Sequence, residues 1–339
     1  MNKIAVIGAG SWGTALAKLL ADKGENVWLW GHRPEHIEQI QRDHENNRYL
    51  PGFLLPDTLK LEKKLEAAVR DADCLIMVVP SHGFRQVFSN LFPFLKTGAR
   101  LVSAVKGIET GSRQTMTELM VEEAGSRADN FSFGVLSGPS FAKEVADHQP
   151  TAVTVAFADI DAARAVQYLF ATDYFRAYAS TDVIGLEVSG AMKNVIAIAA
   201  GISDGLGFGL NTRAALITRG LAEITRMGVA MGARPFTFSG LGGLGDLVLT
   251  CTGNLSRNRT VGLKLGKGKK LATALSEMTM VAEGVKTTKS CYNLAHSLKV
   301  EMPILEQTYQ ILYEDKECMQ AVRELFQRDL KEELDETLA

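Results

Sequence analysis

The stretch Ile4-Ala5-Val6-Ile7-Gly8-Ala9-Gly10-Ser11-Trp12-Gly13 decides how this chain is read. Four apolar residues, too few for a helix, run straight into three glycines spaced G-x-G-x-x-G and then into a helical pattern over 13–23. That is the dinucleotide-binding fingerprint in its strand–turn–helix setting. Gly8 permits the tight turn, Gly10 lets a pyrophosphate approach the backbone, and Gly13 lets helix and sheet pack closely. The helix N-terminus then offers free N–H groups to the anion. A plain glycine turn does not account for three glycines at this spacing behind this strand.

The pattern repeats outward from there. Short apolar runs at 27–30, 75–79, 101–104, 134–136 and 152–156 read as buried strands, and between them helical patterns cover 34–42, 84–94, 113–124 and 160–171. Alternation of this kind predicts a doubly wound, mostly parallel sheet with helices on both faces. Beyond about Thr181 the strand-like runs stop, and an Ala-, Leu- and Gly-rich stretch begins at 183–202. A stretch apolar nearly all round suits a helix buried in a helical bundle. The expected organisation is an α/β Rossmann-like domain over 1–180 and an all-α domain over 181–339. The charged tail 323–338 places Leu325, Leu330, Leu334 and Leu338 near helical spacing, which predicts a solvated helix with one packed face.

Composition narrows the partners. The chain has 339 residues, 37 Lys+Arg against 39 Asp+Glu, a formal net charge of -2 and 46% hydrophobic residues. This leaves no basic excess for nucleic-acid phosphates and no polybasic tract for an acidic membrane, so neither partner is expected. Lys3 and the apolar run after it imitate a secretory signal, but the run is shorter than the ~7–15 residues of such a segment. No other stretch reads as ~20 consecutive apolar residues, so no membrane span is expected. The cysteines, Cys74, Cys251, Cys291 and Cys318, are scattered without a C-x-x-C pair or a nearby His at ligand spacing. No metal is expected, and a reducing cytoplasm fits best.

Specific residues carry the chemistry. In an NAD site a carboxylate ~20 residues beyond the glycines, at the end of the second strand, holds the ribose 2′-OH. Here that strand ends Trp30-Gly31-His32-Arg33. Arg33 is placed to contact a 2′-phosphate, which favours NADP(H) over NAD(H); a solvated loop cation is the plainer alternative. Within the apolar stretch Lys193 is the one charge between 188 and 202, with Ser189 and Ala197 at i−4 and i+4. Glu187 lies about 240° round the helix, too far to pair locally. A lysine buried there acquires a lowered pKa suited to proton transfer, whereas one at a bundle surface would snorkel.

Three further clusters follow. Gly240-Leu241-Gly242-Gly243-Leu244-Gly245-Asp246 lets backbone approach a ligand, with Asp246 either holding an ammonium or serving as a helix N-cap. Ser256-Arg257-Asn258-Arg259 is rich in donors, and an arginine fork suits a phosphate. Lys106-Gly107 and Ser137-Gly138-Pro139-Ser140-Phe141-Ala142 follow strands, and carboxyl ends of strands face the ligand crevice in an open α/β sheet. Ordinary turn chemistry is the alternative for both loops.

Taken together, the motifs 7–14, Lys106-Gly107, Ser137-Gly138-Pro139, Gly190-Ala191-Met192-Lys193-Asn194-Val195, Gly245-Asp246-Leu247 with Thr250-Cys251, and Ser256-Arg257-Asn258 resemble the NAD(P)-dependent sn-glycerol-3-phosphate dehydrogenases over nearly the whole chain. The spacing around Leu255-Ser256 points to the bacterial biosynthetic branch. The resemblance implies reversible reduction of dihydroxyacetone phosphate to sn-glycerol 3-phosphate, the phospholipid precursor, and a helical second domain like that of 6-phosphogluconate dehydrogenase. It implies Lys193 as general acid/base, with Asp246 assisting. Lys106, Gly138, Ser140, Ser256, Arg257 and Asn258 match substrate contacts. Gly8, Gly10, Ser11, Trp12, Gly13, His32, Arg33, Lys106, Ala142, Arg257, Val281 and Glu283 match the cofactor site. A homodimer is expected. The rival readings are a two-domain reductase of another hydroxy acid and a nicotinamide-binding sensor without turnover.

Overall fold

The computed structural model describes residues 3–278, 282–330 and 332–333. Contacts divide them into two units. One holds the described residues up to Val105 together with Met116–Val183; the other holds Lys106–Thr115 and the described residues from Ile184 onward.

The first unit is built on one eight-stranded sheet: β1 (Ile4–Ile7), β2 (Val27–Trp30), β3 (Lys60–Glu62), β4 (Cys74–Met77), β5 (Arg100–Ser103), β6 (Ser132–Ser137), β7 (Thr151–Phe157) and β8 (Phe175–Ser180). Their order is β3-β2-β1-β4-β5-β6-β7-β8. All neighbours are parallel except β6 and β7, where Gly134 faces Phe157 in an antiparallel pair. The reason β1 reads as a continuous apolar run is visible in its packing. Ile4 and Val6 enter one core, with Leu16 and Leu20 of the first helix; Ala5 and Ile7 enter the opposite core, with Phe84 and Phe88. A strand alternates faces, so one buried on both must be apolar at every position. The chain order reverses at β1, between β2 and β4, and the glycine loop leaves the carboxyl end of β1 at that point. This is the position at which an open α/β sheet takes its ligand.

Two strands have no counterpart in the apolar runs. β3 has only three residues, Lys-Leu-Glu, at one edge of the sheet. At the other edge, β8 alternates buried Phe175 and Ala177 with exposed Arg176 and Tyr178. Side chains alternate between the two faces of a strand, and β8 has one face open to solvent, so every second position there need not be apolar. The helix expected over 113–124 begins at Met116, because Arg113 takes a left-handed conformation at φ 66° and Ile108 bridges Thr115. Ile108 then buries itself in the helical core of the second unit, which carries Lys106–Thr115 out of the first.

In the second unit the Val183–Gly205 helix runs between two cores. Val188, Ala191, Val195 and Ile196 pack into one and Ile198 and Ile202 into the other. Burial on several sides explains its lack of a polar face. By length and composition this helix could cross a membrane, which corrects the expectation that no such stretch exists; 83% of its most apolar window is buried within the protein. The tail also differs from expectation. Among the described residues its last helix is Cys318–Phe326, and Leu330 beyond it is fully exposed rather than packed. Leu334 and Leu338 lie outside the described residues.

Candidate active site

The glycine loop of the first unit has the geometry its spacing predicts. Gly8 sits at φ +125°, and a Cβ there would stand 2.7 Å from the Val78 carbonyl oxygen. A Cβ on Gly13 would stand 1.9 Å from the Gly8 carbonyl oxygen, so no larger residue fits without opening the turn. Gly10 differs: nothing lies within 4 Å of its Cβ position. It is the N-cap of the Ser11–Asp22 helix, and no side chain caps the end. An open face beside uncapped helix N–H groups is a cradle for a pyrophosphate. Gly8, Gly10, Ser11 and Gly13 therefore fit a dinucleotide.

A brace holds this loop that sequence reasoning missed. Fully buried Asn46 donates to the Ala9 carbonyl at 3.1 Å and to Thr14 Oγ1 at 2.7 Å, and its own oxygen meets His36 Nε2 at 3.0 Å. Burial pushes the His36 pKa below its ordinary value, which favours the neutral ring. Asn46 lies 33 residues past Gly13, and no local signal announces it. Trp12 and Ala142, matched separately to the cofactor, pack on one small cluster with Ala15 and Ala146. Trp12 Nε1 is buried without a hydrogen-bond partner.

At the end of β2, Gly31 would meet Ile37 Cδ1 at 2.9 Å if it carried a Cβ, while His32 and Arg33 are exposed. The residues that end this strand, Trp30-Gly31-His32-Arg33, include no carboxylate. Past β6, Gly138 holds φ +149°, where a Cβ would be 2.8 Å from Val153 Cα, and Ser140 Oγ donates to the Gly138 carbonyl at 3.0 Å.

The reactive groups converge in the second unit. Lys193 is 6% exposed, so it does not snorkel. Its Nζ donates to Asp246 Oδ1 at 2.5 Å and to Thr250 Oγ1 at 2.8 Å. Asp246, fully buried, receives Lys106 Nζ on its other oxygen at 2.7 Å. Its carboxylate is not a helix cap: Asp246 is the first residue of the Asp246–Thr252 helix, and Gly245 is the N-cap. One carboxylate thus faces two ammonium groups. Burial pushes Lys193 down to about 7 against the pull of Asp246, and Lys106 reinforces the fall. Thr250 completes the arrangement by donating its hydroxyl hydrogen to the Asp246 carbonyl at 2.6 Å, which leaves its lone pairs for Lys193. Lys106 joins this cluster as part of the second unit rather than standing with the β5 loop of the first.

The glycines before Asp246 serve packing more than ligand approach. Leu241–Gly245 forms a π-helical turn, and a Cβ on Gly243 would stand 2.1 Å from the Phe238 carbonyl oxygen. The donor-rich run divides its tasks. Ser256 caps the Arg257–Gly266 helix by accepting from the Arg259 N–H at 3.2 Å, and Arg257 is exposed. Asn258 donates to Asn194 Oδ1 at 2.9 Å and accepts from the Gly284 N–H at 3.0 Å. That amide chain ties the residue after Lys193 to the first turn of the Glu283–Leu298 helix. Glu283 opens this helix; Val281 lies outside the described residues. No group of three or more His, Cys, Asp or Glu able to hold a metal occurs among the described residues.

Comparison with known proteins agrees with this geometry. The family model described as the N-terminus of NAD-dependent glycerol-3-phosphate dehydrogenase matches residues 3–163, and that of the C-terminus matches 182–323. A protein of Desulfotalea psychrophila named glycerol-3-phosphate dehydrogenase, NAD(P)+, is 61% identical over 332 residues, covering 97% of this chain and 98% of the relative. The crystal structure of a glycerol-3-phosphate dehydrogenase from Coxiella burnetii superposes with a TM-score of 0.92 at 42% identity, covering 96% of this chain and 99% of the other. The corresponding enzyme structure from yeast gives a TM-score of 0.81 at 30% identity, over 95% and 98%.

Proposed function

The chain belongs to the NAD-dependent glycerol-3-phosphate dehydrogenase family, and on that premise we propose how its residues divide the work of reducing dihydroxyacetone phosphate to sn-glycerol 3-phosphate. The protein is an NAD(P)-dependent oxidoreductase, and the reaction supplies phospholipid synthesis. Neither a reductase of an unphosphorylated hydroxy acid nor a sensor without turnover finds support among its relatives.

The observation that carries the mechanism is the buried pair Lys193 and Asp246 with the half-buried Lys106 on the same carboxylate. A reduced nicotinamide dinucleotide held at the Gly8, Gly10 and Gly13 loop would supply the hydride for the ketone carbon. Lys193 delivers the balancing proton from Nζ to the ketone oxygen, and in the reverse direction takes it back. Its pKa of about 7 suits both tasks near neutral pH. Asp246 holds the ammonium in place and keeps part of its charge against the cost of burial. With Lys193 protonated, Lys106 leaves the cluster one positive charge in excess of Asp246, which attracts an anionic substrate. Arg257 and Asn258 are assigned to the substrate phosphate with Ser256 as the cap that sets their turn, and Gly138 and Ser140 to the substrate as well. Gly8, Gly10, Ser11, Trp12, Gly13, His32, Arg33, Ala142 and Glu283, together with Lys106, Arg257 and Val281, are assigned to the cofactor.

Arg33 is assigned to the 2′-phosphate, which makes NADPH the preferred reductant. The test is loss of reduced-nicotinamide absorbance on adding dihydroxyacetone phosphate with NADPH and then with NADH. Oxidation of NADPH by the wild type is expected, and Arg33→Ala is expected to lower the NADPH-to-NADH ratio of kcat/KM by about tenfold or more, the worth of a charge-assisted contact. An unchanged ratio would remove the Arg33 assignment. No oxidation of either cofactor by folded protein would remove the functional one.

A cytoplasmic homodimer completes the proposal. All four thiols are free, and burial pushes Cys74, Cys251 and Cys291 up to about 12, so none of these three is a reactive thiolate. Leu210, Phe236, Val248 and Leu255 of the second unit are exposed apolar side chains suited to a subunit contact. Light scattering giving the mass of a single chain at micromolar concentration would overturn the dimer.

A further inference from the structure

The Lys193 helix and the Arg257 helix cross with their backbones in contact. A Cβ on Gly201 would stand 2.0 Å from the Arg259 carbonyl oxygen, and one on Gly205 would stand 2.5 Å from that of Leu263. From the other side, a Cβ on Gly262 would stand 2.0 Å from the Ile198 carbonyl oxygen, and one on Gly266 would stand 2.3 Å from that of Ile202. Each helix therefore presents a glycine pair four residues apart. Such a contact fixes the distance between two helices, but side chains normally supply the ridges that stop one helix sliding along another. Glycine removes those ridges at the crossing itself, leaving Ile198 and Ile202 to pack with Val261 and Leu265 beside it.

A buried carboxylate stands where that register would be set. Asp204, on the Lys193 helix, accepts from Arg259 Nε at 2.8 Å on Oδ2, and Arg259 Nη2 reaches the same oxygen at 2.7 Å. Its Oδ1 accepts from Arg213 Nε at 3.0 Å and Nη2 at 2.6 Å. The Asp204 side chain is 6% exposed. Arg259 also donates from Nη1 to Asn254 Oδ1 at 3.2 Å, which ties down the loop before its helix. Arg259 is thus not a spare phosphate ligand beside Arg257, since its guanidinium is engaged with Asp204 and Asn254.

We propose that Asp204 is a positioning residue which, through Arg259, fixes the axial register of the Arg257 helix against the Lys193 helix and so sets the spacing between proton donor and phosphate anchor. The inference rests on the proposed roles of Lys193 and Arg257. Asp204 lies eleven residues beyond Lys193, roughly 16 Å along a rigid helix, and Arg259 lies within the first turn that carries Arg257 and Asn258. A ketone anchored by its phosphate reaches Lys193 only if that spacing matches its length, and a displacement of about 1 Å costs on the order of a hundredfold in rate. Asp204 accordingly acts on substrate length and touches no substrate itself.

The experiment compares two ketones that differ only in the anchor, dihydroxyacetone phosphate and dihydroxyacetone, both with NADPH. In Asp204→Asn, kcat/KM for the phosphorylated ketone is expected to fall about ten- to a hundredfold while that for dihydroxyacetone changes by less than about twofold. Gly262→Ala, which forces the helices apart, should reproduce that selectivity. If Asp204→Asn does not fold, two milder variants decide. Arg259→Lys should shift the ratio in the same direction, and Arg213→Lys, whose arm does not reach the Arg257 helix, should leave it in place. Equal losses on both ketones, or an Arg213→Lys effect equal to that of Arg259→Lys, would overturn the inference and leave the enzyme assignment standing. A wild type that fails to reduce dihydroxyacetone phosphate would instead overturn that assignment, and this inference with it.

Discussion

Replacing Lys193 with alanine is expected to lower kcat for ketone reduction by about a hundred- to ten-thousandfold, the range that positioned proton transfer contributes. The KM for dihydroxyacetone phosphate should change only a few-fold, because Arg257 and Asn258 are assigned to the phosphate, and NADPH affinity should be unchanged. The fold is expected to survive the substitution. Asp246 keeps its 2.7 Å contact with Lys106, so its carboxylate is not left alone in the interior. Thr250 likewise keeps its bond to the Asp246 carbonyl. Steady-state kinetics with a melting curve as the folding control make the measurement, and a kcat within a few-fold of the wild type would end the assignment.

The wild type supplies the second half of the same test. Lys193 titrates near 7, and the ketone needs the protonated form whereas the alcohol needs the neutral amine. The kcat/KM for reduction should therefore fall as pH rises above about 7, about tenfold per unit once the acid form is scarce, and that for oxidation should rise through the same range before levelling. In Lys193→Ala both limbs should disappear. A limb that survives in the variant belongs to another group.

The parts of this molecule that were legible in its sequence are those whose signal is local. β1 announces itself because burial on both faces demands an apolar residue at every position, and the glycine spacing is dictated within ten residues by contacts such as that of Gly13 with the Gly8 carbonyl. β8 was missed although Phe175 and Ala177 alternate with Arg176 and Tyr178, since an edge strand shows period-two alternation rather than a solid run. The loop Lys106–Thr115 could not be allotted to its unit, because the core that draws Ile108 in is built from Ile184, Val188 and residues later still. Lys193 was legible as an anomaly, whereas Asp246 could be read equally as an ammonium partner or as a cap. An isolated lysine in an apolar helix is conspicuous in one dimension, whereas an aspartate at the start of a short helix resembles a cap until its two partners, 53 and 140 residues away, are seen on its oxygens. Asn46 belongs to the same class.

Asp246→Asn is the substitution in which these two residues are read together, and its expected effect separates a tuning carboxylate from a structural one. Asparagine preserves shape and can still accept a hydrogen bond from one ammonium, but it removes the only negative charge among the groups shifting Lys193. In the wild type burial lowers the Lys193 pKa, Asp246 raises it and Lys106 lowers it. With the raising influence gone, the Lys193 pKa must move below its wild-type value of about 7. The sign of the consequence is fixed: the pH above which reduction declines shifts to lower pH, and at pH 7 the protonated donor becomes the minor form. Reduction at pH 7 is expected to fall by about fivefold or more from that depopulation alone, since one opposite charge is worth about 1–3 pKa units, and further because Lys106 and Lys193, when charged, now repel each other without a shared counter-ion. Lowering the pH should recover part of the loss, which no damaged helix end would allow. The reductive kcat/KM profile from pH 5 to 9 decides the matter. If Asp246→Asn is slower at every pH with its decline still centred near 7, then Asp246 only holds the Asp246–Thr252 helix in place, and the pKa of Lys193 is set by burial and Lys106 alone.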